Sequence, residues 1–195
     1  VEGGAEARIL PLGAGLDDAF FAHDGQITKR EVRAITLAAL APRRGDLLWD
    51  VGAGAGSIAI EWMLLHPSLR AVAIEADATR AERIRGNAAA CGVPDLRVIE
   101  GRAPQALAGL PQADAIFIGG GADGAIIDTA IQALRAGGRL VANAVTLETE
   151  ALILGVRTRL GGEVVRIGIE RAAPLGALTG WRPAMPVLQW RWLKP

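Results

Sequence analysis

Leu47–Ser57 reads L-L-W-D-V-G-A-G-A-G-S, and the fold turns on this stretch. A largely apolar run holding Asp50 leads to glycines at every second position, Gly52, Gly54 and Gly56. An apolar helical pattern opens at Ser57. A strand that turns through glycines into a helix is how a parallel sheet floors a small-molecule site. The glycines admit a tight turn and close backbone approach, and the first helical N–H groups face the ligand.

The pattern repeats to the C-terminal side. Helix Ser57–Leu65 ends at His66-Pro67, and strand Ala71–Ile74 closes on Glu75. A long helix then runs from about Asp77 to Ala90 and stops at Cys91-Gly92. Strand Leu96–Ile99, a short helical piece at Ala103–Ala108 and strand Ala113–Ile118 come next. They are followed by G-G-G-A-D-G, helix Ile126–Leu134, strand Arg139–Ala144 and helix Leu147–Leu160. Such alternation predicts an α/β, doubly wound parallel sheet with helices on both faces. The tail breaks the rule. Glu163–Glu170 alternates as a strand, a Gly- and Pro-rich loop follows, and Pro186–Leu193 reads as a last strand. With no helix between them these two should pair antiparallel, one on the edge and one inserted, giving seven strands in all. Trp190 and Trp192 in the last strand are candidates for a subunit contact.

Upstream, Val1–Gly15 carries four glycines and a proline without periodicity and reads as a linker or arm, leaving 16–195 as one domain. Thr28-Lys29-Arg30-Glu31 has the form of a capping box opening a helix, with Val32, Ile35, Ala39 and Leu40 as its apolar stripe and Ala41-Pro42 as its end. This helix is expected against the sheet edge.

Composition excludes several classes. With 21 basic and 21 acidic residues the chain has no overall charge for gripping nucleic acid. One cysteine, Cys91, rules out an intrachain disulfide and suits a reducing, cytoplasmic setting. Two histidines far apart, His23 and His66, argue against a zinc site, so no metal is expected. Glycines, Asp50 and Glu61 interrupt the most apolar stretch, Leu47–Leu65, so no membrane span is expected either.

Two cofactors compete for the glycine turn. A dinucleotide fingerprint wants its third glycine where Ser57 stands; here that glycine falls one residue early, at Gly56. S-adenosylmethionine has no phosphate and needs backbone amides, a helix start and a nearby acid, which Asp50 supplies directly or through water. Glu75, at the end of the second strand, is placed to accept from ribose hydroxyls. The glycine spacing and the antiparallel tail favour S-adenosylmethionine and the class I methyltransferase fold.

At this point a more specific likeness emerges. I-T-K-R-E-V-R-A at Ile27–Ala34, W-D-V-G-A-G-A-G-S-I-A-I-E at Trp49–Glu61 and A-I-E at Ala73–Glu75 resemble the decarboxylating precorrin methyltransferases of cobalamin synthesis. So do E-G-R-A-P-Q-A-L at Glu100–Leu107, D-A-I-F-I-G-G at Asp114–Gly120 and G-G-R-L-V-A-N-A-V-T-L-E-T at Gly137–Thr149. Those enzymes, or C-terminal domains, methylate C15 of the ring and remove carbon dioxide from the acetate at C12. The resemblance implies that Thr28, the loop of Gly52, Ala53, Gly54, Ala55 and Gly56, Glu75 and Ala103 hold the cofactor. It also implies a precorrin macrocycle as substrate, a homo-oligomer with a tetramer favoured, and a C5-methylating domain ahead of this one in a longer enzyme. Met185 and Asp95 stand where the family commonly has asparagine, which bears on loop detail alone.

For the substrate, Lys29 and Arg30 (with Arg33) offer cations to a ring of many carboxylates, Arg171 and Arg182 less so. Arg33 is otherwise expected on a solvated helix face. Gly120 and Gly121 offer amides to an anion, and Asn143 and Thr146 offer hydrogen bonds. Thr146 also suits an N-cap as its main role. His23, Asp123, Asn143 and Glu148 are the candidates for catalysis, the proton relay after decarboxylation lying among His23, Asp123 and Glu148. Two rival readings remain on sequence alone: a methyltransferase for RNA or another small molecule, and a non-catalytic cofactor-binding module.

Overall fold

The computed structural model describes residues 9–195, so residues 1–8 of the expected arm lie outside the described residues. In chain order the elements begin α1 (Arg30–Leu40), β1 (Leu47–Val51), α2 (Ser57–Leu65), β2 (Arg70–Glu75) and α3 (Ala78–Ala90). They continue β3 (Arg97–Glu100), β4 (Ala113–Ile118), α4 (Gly124–Ala133), β5 (Leu134–Ala144), α5 (Leu147–Leu160) and β6 (Glu163–Ile167). The chain ends with β7 (Glu170–Leu175), β8 (Leu178–Pro183) and β9 (Val187–Leu193). Seven strands form one sheet in the order β3-β2-β1-β4-β5-β9-β6, with β9 inserted antiparallel between β5 and the edge strand β6. This is the class I methyltransferase fold.

The strands read as continuous apolar runs because both faces of the sheet are buried. Leu48, Ala71, Ala73, Ala115, Phe117 and Val141 pack on one face with α1, α2 and α3. Their neighbours in sequence, Trp49, Val72, Ile74, Ile116, Ile118 and Leu140, pack on the other with residues of α4 and α5. That alternation fixes the register, since a slip of one residue would exchange the faces. Among the described residues no helix is long and apolar enough to cross a membrane.

Four details differ from the sequence reading. First, α1 is not opened by a capping box: its N-cap is Lys29, with no side-chain capping bond. It packs over α2, β4 and β5 rather than at the sheet edge. Its far end is held by Arg139 of β5, which donates to the carbonyls of Leu40 and Ala41 and pairs with Asp46. Second, β5 starts at Leu134, ahead of Gly137-Gly138, with a register shift against β4. Third, the loop after β6 is a separate antiparallel hairpin, β7–β8. Fourth, Trp190 is fully buried and donates from Nε1 to the Gly161 carbonyl, and Trp192 donates to that of Leu160, so Trp190 offers no surface to another subunit.

Arg33 departs furthest from expectation. The side chain placed on a solvated face is wholly buried, its Nε on Glu61 of α2 and its Nη1 on Asp18 at 3.1 Å. It also donates to the carbonyls of Thr28 and Leu16 and stands 4.9 Å from the centre of the Phe21 ring. Glu61 completes the knot by accepting from the amides of Gly15 (2.6 Å) and Leu16 (2.9 Å). Two buried charges thus fasten the segment before α1, Gly15 to Thr28, onto α1 and α2.

Candidate functional site

A cleft of about 790 Å³ opens at the C-terminal ends of β1, β2, β4 and β5. Parallel sheets place sites there because the strand-to-helix turns converge at that end and the strand order reverses between β1 and β4. The cleft has two sides.

The side over β1, β2 and β3 is made by the glycine turn, Glu75 and the segment Gly101–Ala103. The turn is locked in place. Gly52 and Ala53 donate to the Ile74 carbonyl at 2.9 and 3.1 Å, and Gly54 donates to Glu75 Oε2 at 2.8 Å. These three amides are therefore spent within the protein. Gly54 has φ +60, and a Cβ there would lie 2.7 Å from the Gln26 carbonyl oxygen. At Gly52, φ +72, a Cβ would lie 2.6 Å from that of Gly120. Glycine is thus required because neighbouring loops close over the turn from both sides. Glu75 Oε1 accepts from Asp77 N at 3.0 Å. Each carboxylate oxygen keeps further acceptor capacity, and Glu75 lines the cleft.

Asp50 lies beneath this turn and is not among the lining residues. It is 1% exposed; Oδ2 accepts from Ala59 N at 3.1 Å and Oδ1 has no partner. Burial, with Glu75 as a nearby like charge and the Ala59 bond opposing, pushes its pKa up to about 7. Ala55 and Gly56 are also buried behind the turn, away from the lining.

The wall facing β2 is the segment Gly25–Thr28, which lines the cleft with Thr28 and Lys29. Asp24 pairs with Arg80 at 2.9 Å and Arg83 at 3.1 Å, and Asn87 exchanges hydrogen bonds with the backbone of Ala22. The arginines hold the Asp24 carboxyl well below the usual range. Sequence reasoning missed Arg80 and Arg102, both lining residues. Arg102 lay in view in the E-G-R-A-P segment.

The other side rises over β4, β5, β6 and β9. Gly120, Gly121 and Asp123 line it, as does Asn143. Asp123 is the N-cap of α4, accepting from Ile126 N at 2.8 Å. Asn143 is committed to a buried network: it donates to Thr36 Oγ1 (3.1 Å) and accepts from Gln189 Nε2 (2.9 Å), while Gln189 also donates to Thr36 (3.0 Å). Thr36 and Gln189 went unread, although each is a polar residue inside an apolar periodic run. Ile167, Ile169 and Val187 give this side an aliphatic wall, and Arg171 stands at its rim.

Besides Asp50, Ala55 and Gly56, the candidates His23, Arg30, Thr146 and Glu148 also lie away from the lining. His23 is exposed, its Nδ1 accepting from Gly25 N at 3.1 Å. Arg30 reaches toward Asp17 at 4.0 Å. Thr146 caps α5, accepting from Thr149 N at 3.3 Å, and Glu148 is an exposed acid in the first turn of that helix. Their positions follow from local capping and solvation, leaving Asp123 as the carboxylate of the proposed relay set that lines the cleft.

The geometry now meets known proteins. Residues 19–194 match the model of a precorrin methyltransferase domain. A precorrin-6Y C(5,15)-methyltransferase [decarboxylating] of Sinorhizobium sp is 64% identical over 189 residues, 96% of this chain and 46% of that protein, so this chain spans about half the length of that relative. The cobalt-precorrin-6B C(15)-methyltransferase (decarboxylating) of Salmonella typhimurium is 35% identical over 166 residues, 83% of this chain and 85% of that one. The crystal structure of the C-terminal domain of precorrin-6Y C5,15-methyltransferase from Rhodobacter capsulatus aligns with a TM-score of 0.90 at 48% identity, covering 95% of this chain and all of that one. With the family model spanning the sheet, the glycine turn and both sides of the cleft, the chain belongs to the precorrin methyltransferase family.

Proposed function

We propose that this chain methylates C15 of a precorrin and removes the C12 acetate carboxyl as carbon dioxide, with S-adenosylmethionine as methyl donor, in cobalamin biosynthesis. The observation that carries the reading is the make-up of the cleft: a glycine turn with Glu75 on one side, and an aliphatic wall with Arg171 at its rim on the other. The names and coverage of the Salmonella and Rhodobacter relatives support it.

The donor set fits the cofactor. Glu75 retains acceptor capacity for ribose hydroxyls, Gly101–Ala103 offers backbone across from it, and Thr28 closes the third side. Asp50, buried beneath the turn with an unpartnered Oδ1 and a pKa of about 7, adds negative charge there only in its ionised form. When bound, S-adenosylmethionine supplies a methyl group on a sulfonium to a nucleophilic ring carbon. The chain's task is mainly alignment and exclusion of water, since reduced precorrin carbons are electron-rich. The aliphatic residues Ile167, Ile169 and Val187 pack the ring, and Asn143, fixed by Thr36 and Gln189, keeps that wall in one conformation. In the second step the C–C bond to the carboxyl breaks, the ring system takes the electron pair, and a proton reaches the methylene left at C12. Asp123 relays that proton from water.

The same reading makes the chain the C-terminal half of a longer cytoplasmic enzyme whose preceding domain methylates C5, and makes the assembly a homo-oligomer, a tetramer favoured. Leu175, Leu178 and Trp181, 70%, 76% and 73% exposed on the hairpin, supply apolar surface for it, which a mass measurement in solution tests. The activity is tested by incubating the chain with S-adenosylmethionine and its reduced precorrin while following methyl incorporation and carbon dioxide release by mass. Neither event with folded protein overturns the reading.

A further inference from the structure

At the base of the β7–β8 hairpin, Arg171 and Arg182 are directly opposite one another in the antiparallel register. Opposed residues share a face of the ribbon, so two guanidinium groups crowd a strip where like charges are unfavourable. The strip is otherwise well fixed: Glu170 pairs with Pro183 beside it, and Ala184 N donates to the Ile169 carbonyl at 2.9 Å to close the stem. Arg171 lines the cleft and among the described residues has one ionic partner, Glu31 in the first turn of α1, reached across 140 residues of sequence. The two side chains are 49% and 41% exposed. Arg182 takes part in no ion pair among the described residues. Among the described residues Arg182 is therefore a guanidinium without an ionic partner beside the Arg171–Glu31 pair. An ion pair this exposed adds little to stability, so its acid is cheaply exchanged for another.

We propose that Arg171 is the anchor for a carboxylate of the methyl acceptor, with Glu31 holding the guanidinium in position until the acceptor's carboxylate takes its place and Arg182 reinforcing the local potential. The inference rests on the proposed precorrin reading, because that acceptor is an apolar ring edged with carboxylates. A planar guanidinium matches a carboxylate through two parallel N–H bonds, and the aliphatic wall beside it takes the ring edge. Glu31 sets the direction from which the fork presents itself, and neutralising it should free the anchor.

The test uses uroporphyrin, a tetrapyrrole edged with carboxylates, titrated against the chain by absorbance, with its fully esterified form as control. S-adenosylmethionine binding by calorimetry reports that each variant is folded. Wild-type protein should bind uroporphyrin and not the ester, more weakly as salt rises. Arg171→Gln should weaken binding by about tenfold or more, Arg171→Lys by less, and Arg182→Gln by about threefold. Glu31→Gln should tighten it severalfold, since it removes the competing acid. Cofactor affinity should stay within about twofold throughout, because no variant touches the glycine turn. The proposal is overturned by wild-type protein that does not bind uroporphyrin, by equal affinities for wild type and Arg171→Gln, or by Glu31→Gln weakening binding as Arg171→Gln does. The last result would make the bridge a structural tie. Methylation of precorrin is scored separately. Turnover with no Arg171 effect sinks the anchor alone, whereas Arg171-dependent binding without turnover sinks the precorrin reading alone.

Discussion

The two sides of the cleft are held by different kinds of interaction. On the side over β1 to β3 the turn itself is held by main chain on main chain or on a buried carboxylate, Gly52 and Ala53 on Ile74 and Gly54 and Asp77 on Glu75. Its outer wall is tied down by Arg33 on Glu61 and Asp24 on Arg80. On the side over β5, β9 and the hairpin, side chains from α1, β6, β7 and β9 meet across large sequence separations. Their charged members, Glu31 and Arg171, stay half exposed. The first side is pre-organised and offers a fixed outline. The second can exchange partners without disturbing the sheet. On the proposed function, one fold can therefore keep a donor site constant while its acceptor site changes, because the acceptor side rests on replaceable side chains.

The severest way to break this contrast is to unfasten the wall of the first side. Arg33→Ala leaves Glu61 buried and unpaired and frees the segment Gly15–Thr28. It should cost about 3–5 kcal/mol in urea unfolding and weaken cofactor binding with it. A loss below about 1 kcal/mol would mean that the wall is held by its apolar contacts instead.

Next in size is Asp50. Its pKa is raised to about 7 from an ordinary 3.8, so the folded protein prefers it neutral. This group's favourable contribution is complete at low pH, diminishes as pH rises past the ordinary value, and is gone above about pH 7. Asp50→Asn cannot ionise. Wild type should therefore lose stability relative to the variant as pH rises through that window, by at most about 1.4 kcal/mol per pH unit. Melting curves of both proteins at several pH values check this, and a constant gap would place the titration elsewhere.

The same contrast governs what could be read from sequence. The glycine turn and Glu75 were legible because a strand, a turn and a helix in succession fix their geometry locally. The opposite side, and the wall that closes the first, needed knowledge of which distant segments meet. Arg33 shows the limit: three like charges near a helix start suggested solvent, yet Arg33 shares its stripe with Leu37 and Leu40. Its partner Glu61 is the single acid in an otherwise apolar helix. A lone acid in one apolar helix and a base in another's stripe were the available signal. The β7–β8 hairpin hid for another reason, since Ala172, Ala173, Pro174 and Gly180 blur any period-two pattern. His23, Asp123, Thr146 and Glu148 were all candidates from local context, and only the fold decided that Asp123 alone of them lines the cleft.

Glu75 sharpens the comparison from the donor side. Glu75→Gln keeps an acceptor for Gly54 or Asp77 but removes the charge that strengthens bonds to hydroxyl donors. Cofactor affinity should fall about tenfold, corresponding to about 1.4 kcal/mol. Uroporphyrin binding should be unchanged if the two sides are as independent as their construction indicates. Calorimetry with each ligand separates the cases, and parallel losses would show that the sides are coupled.

The smallest effect comes from Thr146, at the start of α5 beyond the acceptor side. Its hydroxyl accepts from Thr149 N and itself donates to Thr149 Oγ1 at 3.1 Å, so its bonding capacity is used within the helix cap. Thr146→Ala should cost about 1 kcal/mol, the usual value for a lost N-cap, and lower Tm by about 2–4 °C in a chain of this size. KM for the precorrin should not change, because the residue does not line the cleft. A rise in KM with Tm unchanged would draw Thr146 back into the site and extend the acceptor side past β5. A lower Tm with KM unchanged would put the boundary of that side at Asn143 of β5 and Val145 just beyond it, where the cleft lining ends.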